Sequence, residues 1–96
     1  MNLIALYKTP ADPAGFDKTY FEVHLSLIKK VPGLHGVRVT RITRTVKGEE
    51  GWYMMAEMSF ADADSRKAAM RSPEMAAAGE NLDSFAKGLY TLLYAE

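Results

Sequence analysis

Residues Trp52 through Phe60 read as a β-strand with no side to turn toward water. Successive strand residues point to opposite faces, so a sheet covered on one side only should alternate apolar with polar. Here Trp52, Met54, Ala56, Met58 and Phe60 share one face, while Tyr53 and Met55 precede Glu57 and Ser59 on the other. Two more runs behave alike. Leu3 to Tyr7 sets Ile4 and Leu6 against Leu3, Ala5 and Tyr7, and Leu89 to Tyr94 sets Leu89, Thr91 and Leu93 against Tyr90, Leu92 and Tyr94. A sheet assembled from such strands must be covered on both sides.

The punctuation between these runs gives their order. Lys8-Thr9-Pro10 closes the first strand, and Asp12-Pro13 supplies a capping side chain and a proline suited to a first helical turn. Lys29-Lys30 and Pro32-Gly33 supply the matching stop. Val37 through Val46 is rich in β-branched residues and predicts a second strand, joined by a Lys47–Gly51 hairpin loop to the strand beginning at Trp52. Asp62 caps a short helix through Arg71, and Ser72-Pro73-Glu74 opens another that runs to about Ala86 and stops at Gly88.

The order is β-α-β-β-α-β, which predicts an α+β fold of the ferredoxin-like kind. A four-stranded antiparallel sheet carries helices on one face, and residues 1–96 make a single domain. Helices on one face leave the other face bare, and an apolar face in water would be a patch of several hundred Å², larger than monomers tolerate. The expected cover is a like sheet, so the expected assembly is a homodimer through the sheet faces. A chain of 96 residues has little stability to spare alone, which favours the same arrangement.

Charge and composition exclude several partners and chemistries. Twelve basic side chains balance twelve acidic ones, so no electrostatic hold on nucleic acid or an anionic membrane is expected. Absence of cysteine removes disulfides, thiolate nucleophiles and cysteine-held metals. Two isolated histidines, without a spaced carboxylate pair, do not form a metal-ligand set. The apolar runs are too short for a signal-peptide core or a membrane span, and the expected location is cytoplasmic.

Arg38 and Arg44 face opposite to Arg41 on the second strand, so they form no basic stripe. They either guard an exposed edge or hold an anionic ligand at the rim. Met54, Met55 and Met58 read as adaptable core filling, and His35 as an exposed residue at a turn.

The first helix carries the one position where chemistry and packing conflict. At about 100° per residue, Phe16, Tyr20, Val23, Leu27 and Val31 form an apolar stripe, which Phe21, Leu25 and Ile28 widen to an arc of about 200°. His24 sits near its middle. A buried imidazole must satisfy its N–H and has its pKa lowered by desolvation, so it needs a polar partner or a cavity. Either His24 is a satisfied core residue, or it is a general acid or base with Tyr20, one turn earlier, donating a hydrogen bond to substrate. In the second case Phe16, Asp17, Tyr20, His24 and Leu27 line the substrate pocket. Asp17 and His24 lie about 10 Å apart along the helix axis, too far for direct contact.

The segment from Phe16 through Leu25, with Tyr20 four residues before His24, and Val31-Pro32-Gly33-Leu34 beyond it, resembles the EthD family, named for ethyl tert-butyl ether degradation. The resemblance implies a dimeric α+β barrel whose relatives include cofactor-independent monooxygenases, cyclases, dehydratases and isomerases acting on hydrophobic molecules beside the sheet. It implies a small hydrophobic, aromatic or ether-derived ligand, oxidoreductase or lyase chemistry with His24 as acid/base, and no cofactor. A non-catalytic accessory protein of an oxidation system is the alternative, and a haem-binding member, with His24 as axial ligand, a lesser one.

Overall fold

The first apolar run forms strand β1, Asn2–Lys8, and its two faces are divided as the alternation requires. Leu3, Ala5 and Tyr7 are buried, while Ile4 and Leu6 between them are half-exposed. The computed structural model describes residues 1–96. Its sheet contains β2 (Leu34–Arg41), β3 (Trp52–Phe60) and β4 (Tyr90–Ala95) besides β1, in the order β2-β3-β1-β4, with every neighbouring pair antiparallel. Leu3 pairs with Met58, Ala5 with Ala56 and Tyr7 with Met54. These six buried side chains form the floor of the core.

Helices cover that floor from one side. The first covering element begins as α1, Pro13–Thr19, where the Asp12 carboxylate accepts the N–H of Gly15 and Pro13 occupies the first turn. It continues through a π-helical segment, Tyr20–His24, into α2, Leu25–Ile28. Asp62 caps α3, Ala63–Met70, by accepting from Ser65 N–H, and Ser72 caps α4, Pro73–Ala86, by accepting from Met75 N–H. Gly88, at φ +80°, turns the chain out of α4 in a backbone conformation that side chains with a Cβ rarely adopt. The element order and this sheet are the expected ferredoxin-like fold.

Three details differ from the expectation. The second strand stops at Arg41 rather than continuing to Val46, whose side chain is 94% exposed. One more ladder bond, Ile42 N–H to the Tyr53 carbonyl (3.0 Å), follows Arg41, and pairing then ends where β3 begins, at Trp52. The second difference is in the pairing of β3 with β1. Tyr7 pairs with Met54 and Lys8 with Trp52, so Tyr53 is an extra residue in β3. This bulge swings the Tyr53 ring toward the helix, against Phe16, and not to the Met55 face where strict alternation puts it.

The third difference lies in the first helical rod. The Leu25 N–H bonds the Tyr20 carbonyl five residues back, which inserts one residue into the turn. Residues after the insertion are therefore rotated by one position. Val23 turns outward at 45% exposure and Phe21 is exposed, whereas His24 (3% exposed) and Ile28 take the inward places expected for Val23 and Leu27. The buried stripe is Phe16, Tyr20, His24, Ile28 and Val31.

The other face of the sheet carries no helix. Ile4, Leu6, Met55 and Leu93 lie on it, with Glu57, Arg38 and two threonines, Thr40 and Thr91.

Candidate functional site

His24 is held from three directions. Its ring lies 5.3 Å from that of Tyr20 on the preceding turn and 5.9 Å from that of Phe85 on α4. Its Nδ1 stands 3.1 Å from Oδ1 of Asn81, also on α4. An amide oxygen only accepts, so Nδ1 carries the proton and donates, and the neutral ring keeps its lone pair on Nε2. No protein group hydrogen-bonds to Nε2, yet no buried nitrogen or oxygen is sealed without a partner, so Nε2 remains reachable.

Next to His24 is a cavity of about 170 Å³ between sheet and helices, open to the surface on one side. Leu3, Ala5, Tyr7, Met58 and Leu92 line it from the sheet, Ile28 and His24 from the first rod, Met70 from α3, and Met75, Ala78, Gly79 and Leu82 from α4. His24 and the Tyr7 phenol are the only polar side chains in this lining. Burial lowers the His24 pKa below 6.5, with the Asn81 hydrogen bond opposing in part, so the ring is neutral at pH 7. Burial also pushes Tyr20 up to about 12, and burial together with the nearby Tyr20 raises Tyr7 further, so both phenols stay protonated.

Gly79 enlarges this space. It lies inside α4, where glycine costs roughly 1 kcal/mol relative to alanine, and a Cβ added there meets nothing within 4 Å. Helix stability is given up at a position where a side chain would project into the open volume.

The other residues expected at the pocket occupy distinct places. Tyr20 is 1% exposed and stacks in an aromatic cluster with Phe16 (6.0 Å) and Tyr7 (5.5 Å), touching His24 but not lining the cavity. Phe16 fills the core between Tyr7, Tyr53 and Phe85. Leu27 borders a separate surface groove with Lys30 and Pro73. Asp17 pairs with Arg41 (Nη2 to Oδ2, 2.6 Å) and accepts from the Tyr53 hydroxyl (2.7 Å), while Arg41 Nη1 also donates to that hydroxyl (2.9 Å). Partial burial opposes ionisation of Asp17, but the bonds from Arg41 and Tyr53 outweigh it and hold the carboxyl below its usual range. This clamp ties the end of β2 and the β3 bulge to α1, which accounts for Arg41.

Asn81 was not singled out in the sequence. It interrupts the inward side of α4 one residue before buried Leu82, a polar break of the kind that marked His24, but nothing local says which histidine it meets.

Residues 8–88 match the profile of the EthD domain. The chain belongs to the EthD family. A crystal structure of an EthD family protein from Bacillus halodurans superposes on it with a TM-score of 0.92 at 43% identity, covering 99% of this chain and 95% of the other. The EthD fold also resembles a dimeric, ferredoxin-like protein of unknown function from Bacteroides fragilis (TM-score 0.65, 20% identity, 99% and 94% covered). A third similar structure is SnoaB, a cofactor-independent oxygenase from Streptomyces nogalater (TM-score 0.63, 15% identity, 99% and 91% covered). At these lower identities the likeness of the EthD chain to the last two is one of fold.

Proposed function

We propose that this EthD protein binds a small hydrophobic molecule in the cavity beside His24 and acts on it without a cofactor, His24 Nε2 serving as general base. The observation that carries this reading is a buried imidazole with one nitrogen fixed by Asn81 and the other free beside an otherwise apolar cavity. A neutral histidine with a lowered pKa stands ready to accept a proton at pH 7, and the apolar walls keep water from competing. Asn81 Oδ1 keeps accepting the hydrogen bond from Nδ1–H when the ring becomes an imidazolium, and fixes the ring plane. Tyr20 acts by positioning, since it packs on the imidazole, while Tyr7 borders the bound molecule. The oxygenase activity of a protein with the same fold supports proton abstraction followed by attack of dioxygen, or proton abstraction alone, as the class of chemistry.

The protein works as a homodimer in this reading, with Ile4, Leu6, Met55 and Leu93 of one protomer covered by the sheet of its partner. A fold relative that is dimeric supports this arrangement.

Incubation with a panel of small ethers, phenols and aldehydes in air, followed by mass spectrometry, tests the reading. Product should form with the native chain and not with His24→Ala, while far-UV circular dichroism of the two is alike. Full turnover by His24→Ala would remove His24 from the mechanism. A non-catalytic carrier is the second reading, favoured by the partner of His24 being an amide, which stabilises an imidazolium less than a carboxylate does. It predicts thermal stabilisation by the same compounds with no product.

A further inference from the structure

The cavity beside His24 leads to a charged mouth. Met70 borders the cavity and also a surface groove that contains Arg66, Lys67, Arg71 and Tyr94. A third hollow bridges the two, because it shares Leu3 and Leu92 with the cavity and Tyr94 with the groove, and Met70 with both. One path therefore runs from the surface, over Met70, to His24.

The outer end of that path is basic for a reason visible in α3. Arg66 and Lys67 precede Met70 by four and three residues, which puts all three on one face of the helix, and Arg71 follows at its C-cap. No acidic side chain lines the groove, and neither ion pair of the molecule uses any of these three cations. Arg66 is fixed in place: its Nη1 donates to the carbonyls of Asn2 (2.9 Å) and Ala95 (3.2 Å), and its guanidinium lies 4.1 Å from the centre of the Tyr94 ring. Its remaining N–H donors have no protein acceptor. Tyr94, 62% exposed, offers the wall against which an apolar chain can enter.

We infer that the molecule bound beside His24 is an amphipathic carboxylate, with its head group held by Arg66, Lys67 and Arg71 and its apolar body lying over Met70 along β1. This inference rests on the cavity being the binding site, as proposed above. From Leu3 to Tyr7 the cavity follows β1 over four residue steps, about 13 Å, which sets the length of the apolar body. A guanidinium held at a fixed angle recognises the planar carboxylate better than it does a hydroxyl or an amide of the same length. The reacting carbon is then remote from the acid group, and the acid group selects and orients the substrate.

Calorimetric titration of the full chain with decanoate and with 1-decanol tests this. Decanoate should bind at least about tenfold more tightly, a preference that fades at high salt. The double variant Lys67→Gln, Arg71→Gln should lose most of the preference, keeping only the share that Arg66 supplies, yet keep its affinity for 1-decanol; Arg66 is left in place because it ties the ends of β1 and β4 together. Leu92→Trp, which narrows the passage, should weaken both ligands. Equal binding of the two ligands by the native chain, sensitive to Leu92→Trp, would overturn the charged mouth and leave the cavity standing. A decanoate preference unchanged in the double variant would also overturn it. Binding of neither ligand, or of both without effect from Leu92→Trp, would overturn the cavity reading and this inference together.

Discussion

His24 couples the stability of the fold to pH with a definite sign. Burial lowers its pKa below 6.5, so as the medium is acidified the unfolded chain takes up a proton before the native one does. Stability is therefore level above the unfolded value and falls as pH drops below about 6.5. Asp17 and Asp62 have pKa values lowered from 3.8, so their contributions are lost only in more acid solution, outside this window. Urea midpoints at pH 7 and pH 5 should differ in the native chain and differ less in His24→Gln; equal slopes in the two proteins would mean that His24 does not carry the dependence. Removing the partner instead, with Asn81→Ala, leaves a buried N–H unsatisfied and should cost about 1–3 kcal/mol by urea denaturation at pH 7. Gly79 gives the opposite trade. Gly79→Ala should raise stability by roughly 0.5–1 kcal/mol through helix propensity, while Gly79→Leu should fill the cavity and abolish ligand-induced thermal stabilisation. Of His24, Asn81 and Gly79, only His24 stands out in the sequence, because a histidine on an apolar arc is conspicuous by itself. Asn81 lies 57 positions further on and becomes its partner only through the crossing of two helices, a relation that no local pattern encodes.

The elements were legible wherever a local signal decides them. Asp12, Asp62 and Ser72 cap helices as their side chains dictate, and Gly88 ends the last one. Misreadings occur where a long-range partner changes the local period. The β-branched run to Val46 has the propensity of a strand, but propensity without a facing ladder does not hold one, and β3 begins only at Trp52, which leaves the end of that run without a strand to pair with. Likewise a uniform 100° step puts Val23 inside and cannot foresee the inserted residue of the π segment. That insertion has a testable meaning. From Phe16 to Ile28 the buried residues recur every four positions, which a regular helix would let drift by about 120°, and the wide turn absorbs most of the drift. Deleting the exposed Glu22 would restore a regular helix with the spacing 4, 3, 4, 3 along the same stripe. The deletion variant should fold with a urea midpoint near or above that of the native chain. Loss of ligand-induced stabilisation in that variant would show that the π turn aims His24 at the cavity, whereas an unfolded variant would make the turn a requirement of packing.

At the scale of the whole molecule the bare sheet face governs assembly. Leu6 lies at its centre, flanked in register by Met55 on β3 and Thr91 on β4, and on the face away from His24. A chain of 96 residues that leaves such a face in water has a small margin of stability, and covering it with a second copy adds burial that only the folded state can use. Folding and association are then linked, so the thermal midpoint of the native protein should rise with protein concentration. Leu6→Glu places a carboxylate where the two sheets would meet, and burying that charge unpaired costs more than the contact returns. The face already carries Glu57 in solvent, so the substitution leaves each protomer able to fold. Light scattering after gel filtration should give twice the 10.7 kDa chain mass for the native protein and the single-chain mass for Leu6→Glu, whose thermal midpoint should no longer depend on concentration. A native protein that elutes at 10.7 kDa at every concentration would mean that the apolar face serves some contact other than a second sheet of its own kind.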